Sequence, residues 1–154
     1  MNFASLCKRS LLLVPALLLA ACSKPDQSAE LKSYPAYGVC TIDSPARDAV
    51  IDGKTDFNLG GWAFNKQDSS VPGAVIVYFV NEETTELTTR TATRGPREDV
   101  AAAFGQEGVL NSGFNAVVAQ NSLKPGTYRI ELIQVSNRDG SFRCDGDVHR
   151  ITVQ

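Results

Sequence analysis

Apolar and polar positions change rhythm twice along this chain. Leu11 to Ala21 form an apolar run, polar and charged residues with Pro25 and Pro35 follow from Ser23 to about Ala36, and beyond Tyr37 short apolar stretches alternate with turn residues. In that last part, segments near 38–42, 47–51, 55–64, 74–80, 85–93, 113–119, 126–135 and 148–153 are rich in Val, Ile, Thr, Phe and Tyr, the composition of strands. Asp52-Gly53, Pro72-Gly73, Pro125-Gly126 and Asp139-Gly140 divide them with residues that reverse a chain. Tyr128, Ile130 and Leu132 alternate with charged Arg129 and Glu131, as on a half-buried antiparallel strand. Seven or eight such strands predict an all-β antiparallel sandwich. One short helix interrupts them over 97–104: Pro96 suits a helix start, Glu98 and Asp99 suit the positive end of the dipole, and Gly105 suits the stop. Val100, Ala103 and Phe104 share a face, which predicts Phe104 buried in the gap between two sheets.

The first apolar run has the makeup of an export signal: Lys8 and Arg9 ahead of it, too few apolar residues for a spanning helix, and small residues at its end. It closes on Leu19-Ala20-Ala21-Cys22. These four residues resemble the lipobox of bacterial lipoproteins, which implies cleavage before Cys22, a diacylglyceryl thioether on its sulfur and acylation of the new amine. Several acyl chains hold a domain on a membrane where one chain alone is marginal. Ser23 stands where that family's inner-membrane retention signal has aspartate, which implies the outer membrane, facing the periplasm or flipped to the cell surface. The expected organisation is a signal peptide at 1–21, a lipidated N-terminus and flexible tether at 22–36, and one domain at 37–154.

Without residues 1–21 the chain carries 13 basic and 17 acidic side chains. A net negative domain is a poor partner for nucleic acid, whose binding depends on neutralising phosphates. Of four cysteines, Cys7 leaves with the signal and Cys22 is the lipidation site, so Cys40 and Cys144 remain. In an oxidising compartment that pair is predicted to form a disulfide. A redox couple would favour Cys-x-x-Cys, and a metal site would need more ligands than two distant thiols and His149.

Leu123-Lys124-Pro125-Gly126-Thr127-Tyr128 resembles the tyrosine corner of immunoglobulin-like and fibronectin type III sandwiches. The resemblance implies that the Tyr128 hydroxyl bonds backbone in the loop before it and that Leu123 plugs the core. It also implies that the strands bearing Cys40 and Cys144 are neighbours. Gly60-Gly61-Trp62-Ala63, Arg97-Glu98-Asp99-Val100-Ala101-Ala102-Ala103-Phe104 and Asn111-Ser112-Gly113-Phe114, with that corner, are similar to a module attached to some bacterial envelope proteins, over about 38–136. That likeness implies an immunoglobulin-like accessory domain and transfers no catalytic residue.

Candidate chemistry is sparse. Trp62 is either a core residue or an aromatic platform for a sugar ring. His149 has no accompanying nucleophile motif and reads as a surface or strand-edge residue. Asn137, Asp139, Asp145 and Asp147 offer oxygens without the spacing of a calcium loop, so turn chemistry explains them. Arg90, Arg94 and Arg97, beside the helix start, read first as a solvated strand face and otherwise as a ligand patch for an anionic sugar or phosphate. No catalytic residue, metal or cofactor is predicted. The expected function is that of a non-catalytic binding or structural module of the envelope, anchored in the membrane through Cys22 and meeting an envelope protein or polysaccharide. The alternatives are a carbohydrate or cell-wall binding module and a loop-inserting inhibitor of an envelope hydrolase.

Overall fold

Alternating apolar residues build nine strands in the computed structural model, which describes residues 28–146 and 148–154. The signal peptide, Cys22 and the first part of the expected tether lie outside the described residues, as does Asp147. The strands are β1 (Ala36–Ser44), β2 (Ala49–Ile51), β3 (Phe57–Asn65), β4 (Ala74–Asn81), β5 (Leu87–Gly95), β6 (Gly113–Val118), β7 (Gly126–Ser136), β8 (Gly140–Asp145) and β9 (His149–Val153). Helix α1 (Ser28–Ser33) precedes them, and helix α2 (Glu98–Phe104) with a 3-10 turn (Glu107–Val109) lies between β5 and β6.

The sandwich expected from the strand pattern is not the architecture. One sheet runs β7-β4-β5-β6-β3-β1-β8, and β8 pairs again with β7, so seven strands close into a barrel. Its neighbours are antiparallel except for β1 and β8, which are parallel through Ala36–Arg143, Gly38–Cys144 and Val39–Asp145. The strand that makes the difference is β8, absent from the strand pattern although the resemblance implied a strand at Cys144 beside that of Cys40. Phe142 and Cys144 alternate with Ser141 and Arg143, and by pairing on both sides β8 removes the two free edges that the seven strands would have as one open sheet.

Strand β7 is forked. Gly126 to Ile130 pair with β9, Ile133 to Ser136 pair with β8, and β4 runs along its other side. β9 in turn carries β2 as a short parallel edge. The interior is filled by one set of alternate residues, among them Leu59, Val77, Phe79, Phe114, Leu132 and Ile151. At this scale of burial, roughly 25 cal/mol per Å² of apolar surface is the main stabilising term.

Two patches of the outer wall are covered by helices. Leu31 of α1 packs with Val80 and Ile133, so residues from Ser28 onward, inside the stretch whose composition suggested a free tether, are packed on the barrel. Val100 of α2 packs with Phe64 and Val109. α2 begins at Glu98, with Arg97 as its N-cap and Pro96 one residue farther out than the sequence suggested. It stops at Gly105, whose left-handed φ of 63° lets the last carbonyls be met by the Gly105 and Gln106 amides. Phe104 corrects an expectation: there is no gap between sheets for it to fill, and it lies 44% exposed against the rings of Trp62 and Phe64.

Local features of the corner hold although the fold around them differs. The Tyr128 hydroxyl donates to the Lys124 carbonyl at 2.8 Å, and Leu123 is buried in the core. The Cys40–Cys144 disulfide is formed, with Cα atoms 5.7 Å apart.

Candidate functional site

The three arginines of the expected ligand patch sit in three different environments. Arg90 donates to the carbonyl of Thr89 at 2.6 Å. Arg97 is claimed by two carboxylates, Asp43 at 2.6 Å and Asp99 at 2.7 Å, which keep its guanidinium charged, while Arg97 holds the Asp99 carboxyl down at about 2. Arg94 turns inward on the face that holds Ala92. Its Nε donates to the Pro72 carbonyl at 3.0 Å, its Nη1 to those of Ala63 and Ser112, each at 2.8 Å, and its Nη2 to Gln134 Oε1 at 3.4 Å. Burial lowers its pKa to about 10, which leaves it charged at neutral pH. Gln134, fully buried, donates to the Phe64 carbonyl at 3.2 Å. Gly38 makes room for it, because a Cβ there would stand 2.5 Å from Gln134 Nε2. Arg94 and Gln134 therefore form a polar plug that ties strand ends together. Arg94 and Arg97 both border a shallow depression with Gly113 and Asn115, but their donors are spent within the protein.

Trp62 is half-buried on the outside of β3, stacked on Phe64 with centroids 5.7 Å apart and edge-on to Phe104 at 5.5 Å. It belongs to the small cluster beneath α2 rather than to the barrel interior.

A better-formed concavity lies at the β7 fork. Between Ile130, the last residue paired with β9, and Ile133, the first paired with β8, Glu131 and Leu132 have no strand opposite them on that side. The chain that would fill the gap is drawn away, because Cys144 and Asp145 pair with β1 and the disulfide holds Cys144 to Cys40. The result is a cleft of about 360 Å³ through the barrel wall, near the lower end of the range for small-molecule sites. Ile42, Ile130, Leu132, Val148 and the disulfide are its apolar lining, set among polar groups. Its rim carries Arg47, Glu131, Arg143, Asp145 and His149. Glu131 is paired with Arg129. Arg143 is different, since its Nε is buried without a hydrogen-bond partner among the described residues. An unmet buried donor of that kind costs about 1 to 3 kcal/mol, more for a charged group.

His149 is buried on β9 beside this cleft, with Nε2 3.1 Å from the Pro45 carbonyl, rather than on the surface. Burial lowers its pKa, only partly opposed by that bond. The folded protein therefore resists protonation that the unfolded chain accepts near pH 6.5, so stability is retained above that pH and lost as pH falls. Urea midpoints measured at pH 7.5 and 5.5 should drop more for the wild type than for His149→Gln. Equal drops would show that His149 is not held neutral by the fold.

Neither Arg143 nor the cleft was singled out from sequence. The available signal was the alternation Ser141-Phe142-Arg143-Cys144, which marks a strand with Arg143 on its outer face. Asp139 is taken up by its own hairpin, where it meets Ser136 and Arg138, and no group of three metal-ligating side chains exists among the described residues. No family model matches this chain, and no curated protein matches it in sequence.

Proposed function

We propose that this protein is an envelope lipoprotein, anchored in the outer membrane through Cys22, whose barrel acts as a non-catalytic binding module for another envelope component. The observation that carries the reading is Leu19-Ala20-Ala21-Cys22 at the end of a basic and then apolar start. The Cys40–Cys144 disulfide fits an oxidising compartment. Five residues lie between Cys22 and Ser28, which is buried on the barrel, and they span at most about 20 Å, at 3.3 to 3.6 Å per residue. The barrel then works close to the bilayer, with α1 and the outer face of β4 and β7 on the anchored side. α2 and β3 lie on the far side of the ring, open to partners. A polysaccharide is the second reading, supported by the Trp62–Phe64–Phe104 aromatic cluster on that outward side.

Radiolabelled palmitate fed to expressing bacteria should enter the protein, and Cys22→Ser should abolish incorporation and leave a precursor of higher mass. Label that persists in the Cys22→Ser protein would refute the anchor. Crosslinking in intact envelopes followed by affinity capture then separates the partner classes: a specific protein adduct supports the first reading, and retention on cell-wall polysaccharide that Trp62→Ala removes supports the second.

A further inference from the structure

We infer that the cleft at the β7 fork is a binding site for a carboxylate carried on a short apolar stem, the chemistry presented by the last residue of a peptide with an apolar side chain or by a free aliphatic acid. It rests on reading the barrel as a binding module, and it is independent of the lipid anchor. Arg143 supplies the recognition element. Its Nε is a buried charged donor with no acceptor among the described residues, and a carboxylate oxygen is the acceptor that a guanidinium fork fits best.

The remaining chemistry of the cleft narrows the ligand. Ile42, Ile130, Leu132 and Val148 line the cleft between its polar and charged groups, which leaves room for a short hydrocarbon group beside a charged one. Asp145 and Glu131 on the rim oppose a dianion, so a singly charged carboxylate is favoured over a phosphate monoester. Glu131 and Leu132 form a stretch of β7 with no strand opposite on the cleft side, so a short extended peptide could lie along it with its terminal carboxylate at Arg143. The cleft volume, about 360 Å³, limits the bound part to a few residues.

The test is an NMR titration of the isotope-labelled full-length protein in detergent micelles with three probes: acetyl-Ala-Ala-Leu with a free carboxylate, the same peptide as its amide, and hexanoate. Binding of the free-acid peptide or of hexanoate should shift the amide signals of Leu132, Arg143 and Cys144, and the peptide amide should bind at least tenfold more weakly than the peptide acid. Arg143→Gln should erase the preference for acid over amide, whereas Arg143→Lys should keep part of it; both variants are first checked for the wild-type disulfide and unfolding midpoint. A peptide at least tenfold tighter than hexanoate assigns the site to a chain terminus, and comparable affinity assigns it to aliphatic acids. Acid and amide binding equally, shifts confined to other surfaces, or no shift at 10 mM of any probe would each overturn the assignment. Absence of palmitate in the protein would instead refute the anchor and leave this titration as it stands.

Discussion

Changing Cys40 and Cys144 together to alanine should lower the free energy of unfolding by about 4 to 5 kcal/mol, the largest effect expected from any pair of residues outside the core. The bridge spans 104 residues, and in the chain-entropy model a loop of that length removes about that much disorder from the unfolded state. It also sits where the barrel closes. β1 and β8 are joined by only three residue pairs, and parallel pairing is slightly less stable per residue than antiparallel. Urea unfolding of the oxidised protein, the reduced protein and the double variant should place the last two together, well below the first. A loss under about 1 kcal/mol would mean that strand pairing alone closes the ring, and that the bridge contributes far less than loop closure predicts.

The same seam marks where sequence reasoning stops. The disulfide, the Tyr128–Lys124 bond and the burial of Leu123 are local or depend on compartment chemistry, so they could be read before the fold was known. The disulfide does bring β1 and β8 together, but none of them shows that β8 also pairs with β7, the contact that closes the ring. A tyrosine corner needs only a loop and the start of a strand, and it works as well in a barrel as in a sandwich. Closure depends on β8, six residues whose pattern is masked by the glycine and aspartates around it. Arg94 was misread for a related reason. It shares a strand face with buried Ala92, and the parity of β5 points both inward, but an arginine beside Gly95 and Pro96 reads as a surface cation until the carbonyls around it are in place. The cleft was invisible because Ile42, Leu132, Arg143 and His149 come from four strands, and only the fork in β7 brings them together.

Removing the Arg94 guanidinium should be nearly as costly as breaking the disulfide. In Arg94→Met the side-chain volume is largely kept, yet the carbonyls of Pro72 and Ala63 and the Gln134 amide oxygen lose the Arg94 donor together, and the Ser112 carbonyl keeps only the Ala63 amide. Hydrogen bonds to charged groups contribute about 1.5 to 3 kcal/mol each, but their sum is reduced because methionine also removes the cost of burying a cation. A net loss of about 3 to 5 kcal/mol is expected, since only one side of the network is replaced and the acceptors remain buried. Arg94→Lys separates geometry from charge: an ammonium on a single nitrogen cannot reach carbonyls on three segments at once, so it should recover less than half of the loss. Urea midpoints of the two variants give the answer. If lysine restores full stability, the plug is held by charge alone, and if methionine is tolerated, these carbonyls find other donors and Arg94 is free to serve a ligand after all.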